Sequence, residues 1–456
     1  MRHFFILLLF MAFPMMNLFA QKSILQAGPT LGYNTQNQVT LLVQTKEKAS
    51  IHYRYWPKGQ ADKAKESKTV NTNPRIRNRA RVDITGLQAG LEYIYELYIN
   101  GQKVEFEYPI HFHTKKEEGV NDFRMALGSC NFIVDERFDR KVANFGGKPH
   151  ILTHIPKHDP DYMLWLGDNT YMRFSTHWGT EIDRHKIADW NSRDSMLERY
   201  THTRSAPELQ QLLSTTHHLA IWDDHDYGPD NSDRFWEHKD WSLEIFNSYW
   251  VNPPHPDPNR EGIYTQYQVA DVEFFLTDDR FFRAPGHTPS FENKPFFGKA
   301  QIVWLKEELK NSTATFKVIA TGSQIVSDFD KGEGFRRQYE DEFNQIINFI
   351  RTEKVEGVVF VSGDKHMSEF SVYPSDELYP IYDVTVSPLT AFPIPPVYRT
   401  KNSFRVSGTK AYKHRNFGIL DVKGEKGNRI LEFKIYSTRN TLENTWIISE
   451  SELKFK

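Results

Sequence analysis

The chain has 456 residues, 39% hydrophobic and 25% charged, with 57 Lys+Arg against 59 Asp+Glu. That composition excludes wholesale disorder and fibrous repeats, and it leaves no excess of positive charge to follow a nucleic-acid backbone. At about 100–200 residues per domain, two to three domains are expected.

Residues 1–20 read as a signal peptide. Arg2 gives a positive start, Phe4 to Phe13 is an unbroken apolar run, and Leu18-Phe19-Ala20 offers a small residue before a cleavage point. Ten apolar residues are too few to cross a hydrocarbon core of about 30 Å as a helix. The expectation is therefore export to the periplasm or outside the cell, with no transmembrane anchor and a monomeric chain. The one cysteine, Cys130, rules out an internal disulfide and, lying far from residue 20, a lipid-anchored amino terminus.

Residues 21–117 read as strands separated by turns. Val39–Val43, Ile51–Tyr55 and Val82–Ile84 are short and rich in β-branched or aromatic residues, and Asn100-Gly101 is a hairpin signal. The pattern suggests an all-β fibronectin III or immunoglobulin-like sandwich, and Leu87 to Tyr93 is similar to the tyrosine corner of such domains. The basic stretch Lys58 to Arg81 reads as a solvated loop, and Lys115 to Gly119 as a linker.

Residues 121–456 change character. Apolar runs at Phe123–Leu127, Tyr162–Leu166, Leu219–Trp222, Phe316–Ala320 and Val358–Val361 alternate with helical periods at Arg193–Arg199, Trp236–Trp250, Lys299–Lys310 and Tyr339–Thr352. Strands this uniformly apolar are buried on both faces, which predicts an α/β layered domain. Residues 263–283 and 417–437 read as antiparallel strands.

Four of the apolar runs end in residue types that bind metals. They are Gly128-Ser129-Cys130-Asn131, Gly167-Asp168-Asn169-Thr170-Tyr171, Asp223-Asp224-His225-Asp226 and Gly363-Asp364-Lys365-His366. Ligands of layered α/β proteins bind beyond the carboxyl ends of the strands, and carboxylates gathered there repel unless cations lie between them. Taken singly, each cluster has a plainer reading: Cys130 as a small buried hydrophobe, Gly-Asp as turn chemistry, Tyr171 as packing. No His-Glu-x-x-His sequence occurs, which removes a zinc peptidase of that type.

In this order, Gly-Ser-Cys, Gly-Asp-x-x-Tyr, Trp-Asp-Asp-His and Ser-Gly-Asp-x-His resemble the alkaline phosphatase D family. That family belongs to the calcineurin-like metallophosphoesterases and is related to purple acid phosphatases. The resemblance implies a metallophosphoesterase domain, a β-sandwich flanked by helices, over 121–456. It implies Cys130, Asp168, Tyr171, Asp224, Asp364 and His366 as metal ligands, with Asp168 bridging, and ferric iron with calcium as the metals, zinc or manganese being the alternatives. His225 falls on the histidine that contacts the phosphoryl group. Arg280 is either a phosphate clamp or half of a structural Asp–Arg pair. Asp223, Asn231 and Gln324 are further candidates for the surroundings of the metals. The expected activity is hydrolysis of a small-molecule phosphomonoester or phosphodiester by a metal-bound hydroxide attacking in line. The competing reading is a phosphatase-like binding or adhesion protein without activity.

Overall fold

The computed structural model describes residues 24–117, 119–134, 145–171, 192–255, 257–286, 288, 294–328, 334–394 and 401–456. The expected signal peptide and the loop Arg173 to Trp190 lie outside the described residues. The chain divides into two compact units, one holding residues up to Lys116 together with Arg204–His217, the other Glu117–Thr203 with His218–Lys456.

The first unit is all-β apart from its inserted segment. Leu25–Asn34, Gln38–Thr45 and Arg79–Thr85 pair antiparallel, and Ser50–Pro57 pairs antiparallel with Glu92–Ile99, which also pairs with His111–His113. Alternation in Glu92–Ile99 buries Tyr93, Tyr95, Leu97 and Ile99 against Leu41, Val43, Ile51 and Val82. At Asn100-Gly101 both residues have positive φ (51° and 78°), the geometry that a two-residue hairpin turn demands. The Tyr93 hydroxyl accepts the Gln88 backbone N–H at 2.9 Å, closing the corner expected from sequence. Replacing Tyr93 with Phe removes this bond and leaves a half-buried N–H unpaired, so thermal melting should register a loss of about 1 kcal/mol.

The sequence alone places all of 121–456 in one domain, whereas Arg204–His217 clusters with the first unit. Specific bonds explain this: Gly28 N–H donates to Gln210 Oε1 at 2.9 Å and Tyr95 Oη to the Ser214 carbonyl at 2.8 Å. The His217 ring lies between the Gly32 and His113 carbonyls. No apolar periodicity marks such polar attachments.

In the second unit, Leu442–Ser449, Ile430–Ser437, Asn416–Lys423, Phe123–Gly128, Tyr162–Leu166 and His217–Ile221 follow one another across one sheet. Phe123–Gly128 and Tyr162–Leu166 are parallel, whereas the three carboxyl-terminal strands pair antiparallel. The other sheet runs Thr265–Val269, Val272–Leu276, Phe316–Thr321, Val358–Ser362, Ile381–Thr385 and Glu369–Tyr373, parallel through its four central strands and antiparallel at both edges. The sheets face each other: the Phe123 and Phe274 rings are 6.2 Å apart, and those of Tyr162 and Tyr267 6.0 Å. Helices cover the outside. Lys239–Tyr249 packs Phe246 on Trp222 at 5.3 Å, and Lys299–Asn311 packs Trp304 on Phe275 at 6.1 Å. Tyr162–Leu166, Val272–Leu276 and Val358–Ser362 are buried along their whole length, and their mostly apolar composition suits strands covered on both faces. No helix among the described residues is long and apolar enough to cross a membrane.

Candidate metal centre

The strands deliver their ligand-type residues through sharp turns. Cys130, Asp168, Asp364 and His366 all have positive φ, from 52° to 62°, a conformation that non-glycine residues adopt at a cost. Four such residues just past three strand ends concentrate strain where side chains must be aimed. Two glycines make the approach possible. A Cβ on Gly167, itself at φ 84°, would lie 2.6 Å from Asp223 Cβ, and one on Gly363 would overlap the Leu166 carbonyl. The strand-end loops are also bonded to one another: Cys130 N–H donates to the Gly167 carbonyl at 3.3 Å and Asn131 N–H to the Asp168 carbonyl at 2.8 Å.

Six of the sequence-selected side chains meet. Asp168 is central: its Oδ2 accepts the Tyr171 hydroxyl at 2.8 Å and faces Cys130 Sγ at 3.5 Å, and its Oδ1 accepts the His225 backbone N–H at 3.2 Å. Tyr171 Oη lies 3.2 Å from His366 Nε2. The His225 ring stacks on the Tyr171 ring with centroids 4.3 Å apart, and its Nε2 lies 4.0 Å from Asp224 Oδ2. Potential ligand atoms of Cys130, Asp168 and His366 lie within 4.8 Å of one another, as do those of Asp168, Asp224 and His225. Asp168 belongs to both groups.

The electrostatics identify what these residues need. Burial, then the carboxylates of Asp224, Asp223, Asp226 and Asp364, push the Asp168 carboxyl well above its usual range. Burial and Asp168 push the Cys130 thiol up, and burial with Asp168 and Cys130 does the same to the Tyr171 phenol. One Asp223 oxygen, Oδ2, is buried with no hydrogen-bond partner. A thiol, a phenol and a crowded carboxylate, each disfavoured as an anion by burial and by neighbouring negative charge, become strong anionic ligands once a cation is among them. The donor set therefore fits a metal centre. His366 fits the same role: its Nδ1 faces the Phe392 carbonyl, so the proton belongs there and the Nε2 lone pair points into the cluster. Burial holds the imidazole neutral, with its pKa down to about 4.

Asp224 differs from its neighbours. Burial opposes its charge, but His225, Arg280 and the Asn231 N–H at 2.7 Å outweigh burial and hold it below the ordinary carboxylate range. Asp364 sits at the rim, its carboxylate paired with Lys365 and its backbone carbonyl 3.6 Å from Cys130 Sγ. Arg280 is fully buried behind Asp223. Its guanidinium pairs with Asp223, lies 3.9 Å from Asp224 Oδ1, and also contacts the Ser232 carbonyl and Ser323 Oγ. Gln324 Nε2 bonds Glu369 and Thr385 in the core.

Two contributors, Ser387 and Asp226, are given no role from the sequence. Ser387 Oγ donates to Cys130 Sγ at 3.1 Å and accepts the His366 N–H at 3.0 Å, tying two ligand turns together. Asp226, with its pKa pushed up to about 7 by burial, accepts the Asn169, Thr170 and Asp223 N–H groups and so braces two ligand loops. Asp226 stands inside a conspicuous acidic cluster, a signal that was available in the sequence. Ser387 carried none.

Comparison with known proteins agrees with this geometry. Residues 129–427 match the family model described as PhoD-like phosphatase, and residues 22–116 match a model described as a domain of unknown function, DUF7800. Alkaline phosphatase D of Bacillus subtilis (strain 168) is 24% identical over 253 residues, covering 47% of this chain. The aligned part spans only 42% of that relative's length. A solved structure titled "Structure of PhoD" superposes with a TM-score of 0.75 at 15% identity, covering 95% of this chain and 92% of that one. Purple acid phosphatase PPD1 from yellow lupin seeds superposes with a TM-score of 0.63 at 14% identity, covering 92% of this chain and 74% of that one. Both structural likenesses establish an α/β metallophosphoesterase-like fold. With about two thirds of its length matched by the family model, the chain belongs to the PhoD-like phosphatase family.

Proposed function

We propose that this chain is an exported metal-dependent hydrolase of small-molecule phosphomonoesters or phosphodiesters, in which water attacks phosphorus in line with the leaving group. One observation carries the reading: two ligand groups overlap at a shared Asp168 carboxylate, the arrangement that a bridging ligand between neighbouring cations requires. Cys130, Tyr171 and His366 with Asp168 would hold iron(III), and Asp168 with Asp224 and Asp364 would hold calcium. The anionic oxygen donors favour a hard, highly charged ion over a pair of zinc ions. Bound cations of this kind lower the pKa of water and neutralise phosphoryl charge.

The chain supplies the rest. Asp168 keeps its two oxygens turned to opposite sets of partners. His225, fixed by its stacking on Tyr171 and by its backbone bond to Asp168, is the group placed to donate a hydrogen bond or proton to the leaving oxygen. Arg280 acts by holding Asp223, and through it the neighbouring Asp224, and not as a phosphate clamp, since its guanidinium is buried and engaged. Residues 21–117 would be an accessory sandwich domain of fibronectin III or immunoglobulin-like type, a reading that the Tyr93 corner supports.

The test is hydrolysis of a chromogenic phosphomonoester and a phosphodiester with and without chelator. Turnover that disappears on chelation supports the reading, and the absence of turnover in metal-replete protein would favour the binding or adhesion alternative. In 18O-labelled water the released phosphate should carry one solvent oxygen per turnover, and phosphate free of the label would contradict direct attack. Tyr171→Phe should eliminate the phenolate-to-iron charge-transfer band of the iron-loaded protein while its circular dichroism stays unchanged. The mature protein isolated from its source should begin at Gln21 by mass spectrometry.

A further inference from the structure

Away from the ligand cluster, the second unit contains a cavity of about 960 Å3. Its apolar surface comes from Phe235, Phe281, Phe282, Ile302 and Val303. Phe235 is 69% exposed and Val303 46%, so two of the four large hydrophobics left in solvent among the described residues line this one feature. Scattered apolar exposure is ordinary on a protein surface; convergence on a single concavity is not.

The charges are as uneven as the apolar surface. Arg234, Lys239, Lys299 and Lys306 line the cavity, against Glu261 and Glu342. Glu342 is engaged elsewhere, accepting the backbone N–H groups of Phe296, Phe297 and Gly298 at 2.9, 2.8 and 3.2 Å. Two of the cations rest on rings of the wall: Lys239 Nζ lies 4.3 Å from the Phe281 centroid and the Arg234 guanidinium 5.0 Å from that of Phe235. Among the described residues, none of the four has a carboxylate within ion-pair distance. In a chain whose net charge is −2, four cations against two carboxylates around one apolar hollow leave it with a net positive field.

We propose that this cavity is a binding site for a small organic anion with an aromatic body. The rings of Phe235, Phe281 and Phe282 and the side chains of Ile302 and Val303 would cover the flat apolar part. Arg234, Lys239, Lys299 and Lys306 would meet a sulfonate, carboxylate or phosphate at its edge. The volume falls within the range of sites that enclose small ligands, about 300–1,000 Å3. No lining residue belongs to the metal-ligand set, so binding here does not depend on a loaded metal centre.

The probe is 1-anilinonaphthalene-8-sulfonate, an aromatic sulfonate whose fluorescence rises in apolar surroundings, titrated into the folded full-length protein. N-phenyl-1-naphthylamine, which has the same aromatic body without the sulfonate, is the comparison. The site requires saturable binding of about one sulfonate probe per chain, retained after chelation. Lys299→Gln with Lys306→Gln should weaken that probe about tenfold and leave the neutral probe within twofold. Phe235→Ala, at an exposed ring, should weaken both probes. All variants should keep the melting temperature and the phosphatase activity of the parent. Equal sulfonate affinity in parent and double lysine variant, or equal affinity of the parent for the charged and neutral probes, would overturn the proposal.

Discussion

Replacing Asp168 with Asn should lower kcat/KM for a chromogenic phosphoester at least about a thousandfold, equivalent to about 4 kcal/mol of transition-state stabilisation. The magnitude follows from position. Asp168 is the member common to both ligand groups, so its loss impairs both at once, whereas a change at Cys130 or Asp224 touches one. The substitution also separates metal binding from folding. In chelated protein the Asp168 carboxyl is crowded by Asp224, Asp223, Asp226 and Asp364 in a buried setting. A neutral amide of the same shape relieves that repulsion, so chelated Asp168→Asn should melt at or above the temperature of chelated parent. In metal-replete buffer the order should reverse, because the parent gains binding free energy that the variant cannot. Loss of activity with unchanged metal content would mean that Asp168 has another role.

Replacing Arg280 with Met should be the most destabilising single change in the second unit, by about 3–5 kcal/mol, read as a fall in urea midpoint and melting temperature. The guanidinium is fully buried and compensates Asp223, whose carboxyl burial pushes up and Arg280 pulls down. Removing it leaves an uncompensated acid beside Asp224 and Asp279. The double variant Arg280→Met with Asp223→Asn should recover a large part of the loss, since it removes both members of the pair. A phosphate clamp would behave otherwise: the single variant would keep its stability and lose activity through KM.

Much of this was legible in the sequence. Uniformly apolar strands such as Tyr162–Leu166 and Val358–Ser362 mark sheets covered on both faces, and the glycine after each marks where the chain turns to present a ligand. Asp168, Tyr171, Asp224, His225 and His366 stand out because polar residue types directly after buried strands are costly unless they have partners. The remainder was hidden for physical reasons. The Phe392 carbonyl that fixes the His366 tautomer and the Asn231 N–H that anchors Asp224 are backbone atoms, identical in every residue type. Ser387 reaches Cys130 across 257 positions, and nothing in its neighbourhood advertises a thiol. Whether Arg280 clamps phosphate or anchors an aspartate depends on burial, which a sequence does not state. The anion cavity draws its lining from residues spread between Arg234 and Gln345, so no local motif announces it.

Whether cations shared through Asp168 carry out the hydrolysis is decided by elemental analysis of the purified protein, paired with its phosphoesterase rate before and after chelation and after readdition of each metal. Iron and calcium should be tightly held in fixed ratio to the chain, lost together with activity on stripping and restored together with it. Undiminished hydrolysis by a metal-free chain would contradict that role for the cations.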